Sequence, residues 1–142
     1  MVTPVSPPPR AFITCHALDT TTGRPAAGIK VELVLDEPSI ASNQSLSAPM
    51  HATTNNDGRI AVWVGSSPTT ALSPDELVSQ AAPHLSGERL RWKLLFHTEE
   101  YYGPGKTFFP HVEIPFYTDF AKSHFHVPLL LGPWSYTTYR GS

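Results

Sequence analysis

The 142-residue chain has a single cysteine, so no internal disulfide can close and none can contribute to its stability. Long apolar runs are missing, and the N-terminus carries neither a membrane span nor the charged-then-apolar pattern of a secretory signal. Charge of one sign is also missing: Lys and Arg total 10, Asp and Glu total 12, and the net charge is −2. The basic residues form no cluster and are not interleaved with aromatics, which argues against nucleic acid as a partner. These absences lead to the expectation of an intracellular protein, cytoplasmic or peroxisomal, with no membrane partner, although the chain lacks a Ser-Lys-Leu-type peroxisomal ending. The length suits one domain able to bury a substantial core.

Proline is abundant, at 15 residues, and it organises the chain. Pro4, Pro7, Pro8 and Pro9 remove backbone donors from residues 1–10, which read as a loose tail ahead of one domain at 11–142. Phe12 to Leu18 reads as a strand, a break follows around Gly23 and Pro25, and Ile29 to Leu35 alternates apolar with polar residues as a second strand. Residues 36–50 show no period and read as a long loop, as do residues 66–88 apart from one helix. That helix is expected at Leu72–Ala82, with Ser73 as its cap, Pro74 in the first position and Glu76 completing a capping box. Asn55-Asn56-Asp57-Gly58 is a turn signal feeding a strand from Arg59 to Val64, in which Ile60, Val62 and Val64 would share one face. Leu90–Thr98 and Phe108–Tyr117 read as further strands around a short helical turn or loop at 99–106, the second with prolines that suit an edge or a bulge. The segment from His124 to Thr138 reads as two strands joined by a Gly132-Pro133 turn. Seven or eight short strands with one or two short helices make an all-β antiparallel sandwich.

The last four residues, Tyr139-Arg140-Gly141-Ser142, run on from this final strand without a polar fray. An arginine, a glycine that lets backbone come close, a hydroxyl and a terminal carboxylate then stand together, as they do in binding sites. Seven histidines are a second concentration of chemistry. His124 and His126 project from one face of a strand, and with a third histidine they would make a zinc set, so a metal hydrolase is one reading of the residues. A His-x-His pair lacks the spacing specificity of a Cys/His cluster, and the metal-free reading is preferred. Cys15 beside His16 points to the opposite face and reads as a small buried hydrophobe rather than a nucleophile.

Three segments, in order, carry a resemblance: Ile13-Thr14-Cys15-His16-Ala17-Leu18-Asp19 with Gly23-Arg24-Pro25-Ala26; Thr54-Asn55-Asn56-Asp57-Gly58-Arg59; and Leu129-Leu130-Leu131-Gly132-Pro133 through Tyr139-Arg140-Gly141-Ser142. Together they resemble the 5-hydroxyisourate hydrolases, transthyretin-related enzymes of urate breakdown. The resemblance implies a transthyretin-like (prealbumin-like) sandwich and a homotetramer, a dimer of dimers with sites where subunits meet. It implies hydrolytic opening of a small purine-derived ring to 2-oxo-4-hydroxy-4-carboxy-5-ureidoimidazoline, with no metal and no other cofactor.

The same resemblance implies that His16, Arg59, His126 and Ser142 are catalytic and that Tyr139, Arg140 and Gly141 bind substrate. His126 is favoured over His124 because it directly precedes Val127-Pro128-Leu129-Leu130. The residue types suit the reaction: histidine exchanges a proton near neutral pH, and arginine supplies a fixed donor fork for a developing oxyanion. Ser142 would position water or substrate, since no nucleophile-elbow sequence surrounds it. Which histidine acts as base stays open, as does the part played by His124. Two other readings fit the strands: a transthyretin-like carrier of a small hormone-type ligand, and an interaction module built on a sandwich. The carrier reading calls for a chiefly apolar channel rather than charged residues. The chain departs from the family pattern at Gly132 and Trp134-Ser135 and in its long loops.

Overall fold

The computed structural model describes residues 11–37, 49–65, 73–81, 89–119 and 124–142. The proline-rich segment 1–10 and most of the two long loops lie outside the described residues. Among the described residues, nine strands and two helices follow in the order β1 (Ile13–Asp19), β2 (Arg24–Pro25), β3 (Lys30–Glu37), β4 (Met50–Thr53), β5 (Arg59–Ile60), α1 (Pro74–Ala81), β6 (Leu90–Phe96), α2 (Thr98–Tyr102), β7 (Val112–Thr118), β8 (Phe125–Leu131) and β9 (Tyr136–Thr138). The expected count of seven or eight rises because β2 is a two-residue strand and because β4 alternates over too few residues to stand out in the sequence.

One sheet runs β2-β1-β8-β9 with β5 also paired to β1, and the other runs β4-β3-β6-β7. All pairings are antiparallel except β1 with β8, which run parallel with Thr14 opposite His126 and His16 opposite Pro128. That parallel ladder joins the first and last motifs of the chain. Alternation puts Ile13, Cys15, Ala17 and Asp19 of β1 in the interior and leaves Thr14, His16 and Leu18 on the outer face. The core between the sheets is formed by these residues with Val31 and Leu33 of β3, Trp92, Leu94 and Phe96 of β6, and Leu129 and Leu131 of β8. Its buried aromatic nitrogens are satisfied: Trp92 Nε1 donates to Thr118 Oγ1 at 2.8 Å and Trp63 Nε1 to the Ile13 carbonyl at 2.9 Å.

The Arg59–Val64 segment departs from the expected strand. It pairs with β1 only at Arg59 and Ile60, then crosses to the other sheet, where Val64 and His51 exchange backbone hydrogen bonds. The crossing breaks the alternation, so Ile60 and Trp63 are buried while Val62 is 77% and Val64 52% exposed. α1 begins as expected, with reciprocal bonds between Ser73 and Glu76. β7 starts at Val112, later than expected, and as a sheet edge it accommodates the exposed Pro115.

α2 is tied to β1 through a buried carboxylate. Asp19 accepts from the Thr21 amide and hydroxyl and from the Tyr101 hydroxyl at 2.8 Å, and Tyr102 donates to the Leu131 carbonyl. Burial pushes the Asp19 carboxyl up, but the hydrogen bonds from Thr21 and Tyr101 outweigh it and hold its pKa below the ordinary carboxylate value. A depressed folded-state pKa means that this stabilisation is complete above the unfolded-chain value and is lost as pH falls through the folded one. Asp19→Asn should therefore cost about 1–3 kcal/mol at neutral pH, with the gap from wild type closing in acid. Denaturant melts across pH would measure this, and a gap that persists at low pH would contradict the assignment.

Candidate active site

The second motif forms a scaffold around the first. Thr54 is buried and its hydroxyl donates to the Ala26 carbonyl and accepts from the Ile29 amide, which fastens the motif to the turn after β2. The Asn55 side chain accepts from the Asp57 and Arg59 amides, each at 2.9 Å, and shapes the turn. Gly58 has φ +73° and lies against β1, where its carbonyl accepts from the Ala17 amide at 2.8 Å. A side chain there would collide with the Ala17 carbonyl, so the position requires glycine on both counts. The turn delivers Arg59 directly opposite His16, and cross-strand partners lie on the same face.

His16 and His126 meet on that outer face with their rings stacked, centroids 6.5 Å apart, and His124 stacks on the other side of His126 at 6.0 Å. Thr14 Oγ1 lies 2.7 Å from His126 Nδ1 and 3.4 Å from His124 Nε2, and His124 Nδ1 is 2.6 Å from the Ala11 carbonyl. Loss of solvent and the Arg59 guanidinium hold the His16 pKa below its ordinary 6.5, against an opposing pull from the Asp57 carbonyl and carboxylate. His16 is therefore neutral at physiological pH. In an NMR titration its midpoint should fall below the ordinary value and rise in Arg59→Gln, which removes the repelling charge. A midpoint that ignores this substitution would refute the coupling.

The C-terminal tail continues β9 along β8. Its ladder lapses opposite Pro128, which has no N–H to offer, and resumes where the Gly141 amide donates to the His126 carbonyl at 2.9 Å. A Cβ on Gly141 would stand 2.6 Å from His126 Cδ2 and 2.9 Å from Pro128 Cγ, so the absent side chain is what lets the tail close over the histidine. Arg140 goes the other way: its guanidinium stacks 4.9 Å above the ring of Phe125, an inward residue of β8. There it lines a groove of about 290 Å³ between the β7 edge and the tail, together with Ile114, Phe116, Tyr117 and His126. Tyr139 is 57% exposed and Ser142 is exposed. The structure thus brings His16, Arg59, His126 and Gly141 together and turns the Arg140 guanidinium onto Phe125, in a groove that His126 also lines.

Sequence reasoning missed Thr14, because a hydroxyl two residues before a histidine carries no signal until the parallel β1–β8 register sets it opposite His126. Cys15 is fully buried, and burial pushes its thiol up to about 12, so it is no thiolate nucleophile. Among the described residues, no group of three or more His, Cys, Asp or Glu is arranged to hold a metal ion, and no helix is long and apolar enough to cross a membrane.

Known proteins share this architecture. The chain is 39% identical to the 5-hydroxyisourate hydrolase of Mus musculus over 132 residues, covering 92% of this chain and 94% of the mouse protein. The solved 5-hydroxyisourate hydrolase of Klebsiella pneumoniae superposes with a TM-score of 0.59 at 27% identity, over 93% of this chain and 94% of that one. Sea bream transthyretin, solved with thyroxine, superposes at 0.65 with 18% identity, over 92% and 95%, and so shares the fold. Residues 13–141 match the sequence profile of the HIUase/Transthyretin family, to which this chain belongs.

Proposed function

We propose that the protein is a 5-hydroxyisourate hydrolase whose site is the outer face of the β1–β8 ladder. The observation that carries this reading is the convergence on one sheet face of His16, Arg59 and His126, with the tail folded against His126. The relatives named as hydrolases support the substrate.

In the reaction, His126 and His16 share activation of a water and delivery of its proton. The water oxygen bonds to a ring carbonyl carbon as its proton passes to imidazole, and negative charge gathers on the carbonyl oxygen beside the Arg59 guanidinium. Collapse of this intermediate breaks the ring C–N bond. The nitrogen takes the proton held by histidine, leaving a carboxylic acid on the opened ring, which releases its remaining proton to solvent and becomes the carboxylate. Ser142, Tyr139 and Gly141 border the substrate on the tail side, and Arg140 anchors the tail through Phe125. No metal takes part in this scheme.

The His16–Arg59 pair lies on an open sheet face, and neither residue lines the groove beside Arg140. A second subunit laid on that face would turn it into a cleft, and exposed Val62 and Trp134, at 77% and 67%, are apolar surface available for burial. The proposed assembly is a homotetramer, a dimer of dimers with shared sites. Dilution to a monomer, followed by analytical ultracentrifugation, should abolish turnover, and full activity in a proven monomer would refute the shared site.

The rival reading, a carrier of a thyroxine-like ligand, suits this face less well, since two imidazoles and a guanidinium stand where an apolar channel is needed. Freshly generated 5-hydroxyisourate should lose its ultraviolet absorbance far faster with the protein than without it, while thyroxine should not compete. Spontaneous-rate decay with tight thyroxine binding would favour the carrier.

A further inference from the structure

We propose that Arg89 and Arg140 form a binding site for a small carboxylate with an apolar body, at the end of the sandwich where β7 stops and β8 begins. The site is separate from the face that carries His16 and Arg59, and it does not depend on the hydrolase reading.

The two arginines reach this place from different sheets. Arg89 directly precedes β6, whose first residue, Leu90, pairs with Thr118 at the end of β7. It therefore stands beside the edge strand, and its guanidinium lies over the Tyr117 ring at 5.1 Å. Arg140 arrives through the pairing of the tail with β8 and lies over the Phe125 ring at 4.9 Å. Both line one pocket of about 390 Å³, together with Tyr117, Thr118, Asp119 and Phe125. A guanidinium stacked on a ring uses its flat face for that contact, and the N–H groups at its edge stay available to an acceptor.

These two cations differ from others of the molecule in having no counter-charge. Lys30 lies 3.6 Å from Glu100, Arg91 3.4 Å from Asp36 and Lys93 3.9 Å from Glu113. Among the described residues, Arg89 and Arg140 each have an aromatic ring as partner and no carboxylate. Asp119 also lines the pocket and has an interaction of its own, so it sets one negative charge against two positive ones. Like charges gathered in one concavity repel, and an anion received there relieves the repulsion. The planar fork of arginine matches a carboxylate in shape as well as charge.

The rest of the ligand follows from what adjoins the pocket. The groove of about 290 Å³ between the β7 edge and the tail shares Tyr117, Phe125 and Arg140 with it, and Ile114, Phe116 and Val127 wall it further along. A carboxylate held by the arginines would lay an aryl or short alkyl body against those side chains. The turn that takes Arg140 onto Phe125 thereby acquires a purpose.

The test is an NMR titration of the arginine Nε–H resonances of the full-length protein at low ionic strength, with 3-phenylpropionate and with the uncharged 3-phenylpropanol. Both Arg89 and Arg140 signals should shift with 3-phenylpropionate, with a Kd of about 1 mM or tighter. The alcohol should bind at least ~10-fold more weakly, since it lacks the charge that the forks accept. Arg89→Gln and Arg140→Gln should each weaken the acid by about 10-fold, and added salt should weaken it in wild type. Arg89 is exposed, so Arg89→Gln should melt with wild type and turn over 5-hydroxyisourate at the wild-type rate. No shift at either arginine, equal affinity for the alcohol, or undiminished affinity in Arg89→Gln would overturn the site. Loss of turnover in a folded Arg89→Gln would overturn its separation from the hydrolase face. The titration is read without turnover, so a chain that fails to hydrolyse 5-hydroxyisourate counts against the hydrolase reading alone.

Discussion

Replacing His126 with alanine should lower kcat for 5-hydroxyisourate about 10²- to 10⁴-fold, the range lost when a positioned general base is removed. The fold should survive. The His126 ring is on the outer face, half-buried, and packs on His16 and His124 rather than in the core. Its backbone carbonyl, which accepts from the Gly141 amide, is retained in the variant, so the tail keeps that anchor. A thermal transition close to wild type combined with near-complete loss of turnover separates chemistry from stability. If His126→Ala turns over at the wild-type rate, His126 is not the base, and attention passes to His16, whose pKa lies below its ordinary value.

The second large effect is expected from one added methyl group. In Gly141→Ala the new carbon would start 2.6 Å from the His126 ring and 2.9 Å from Pro128, closer than carbon atoms approach. Either the ring turns away from Thr14 or the tail lifts from β8. Both displace a reacting group by something near 1 Å, which can cost about 10²-fold in rate. Gly141 is at the surface of the sandwich, so the melting temperature should change little while activity collapses. Gly132 is a control, since a Cβ there meets its nearest neighbours only at 3.2 Å, and alanine at that position should be far milder. Equal activity in Gly141→Ala and wild type would mean that the tail need not lie against His126 during the reaction.

Much of this architecture can be read in the sequence, and the reason is local. Strand alternation is written in β1, where every second residue is buried, and the Asn55–Gly58 turn announces itself through residue types that suit few other conformations. The capping box at Ser73 and Glu76 is likewise a matter of neighbours. What escapes local reading depends on crossings. Val62 and Val64 look like core because they alternate with Ile60, but the chain changes sheets after Ile60 and Trp63 takes the interior position. β4 is too short to show a period and exists because β3 offers it a partner.

The candidate site divides along the same line. His16 and Arg59 stand in the first two motifs and His126 directly precedes the apolar run Val127-Pro128-Leu129-Leu130, and the structure brings them to one face. The direction of Arg140 could not be read, because it is set by Phe125, a residue brought alongside only by the pairing of the tail with β8. Thr14 and His124 escaped for the same cause: their chemistry arises from a hydroxyl placed between two imidazoles by a parallel ladder joining the two ends of the chain.

The measurement that tests the central claim most directly is the ultraviolet decay of 5-hydroxyisourate, made fresh from urate with urate oxidase, in excess chelator, with the full chain and with one ending at Thr138. Rapid decay that persists in chelator and is lost in the shortened chain, with both proteins folded to the same assembly, is the predicted result. Decay at the spontaneous rate with the folded full chain, or equal acceleration by the two chains, would contradict a hydrolase whose site is completed by its own C-terminal tail.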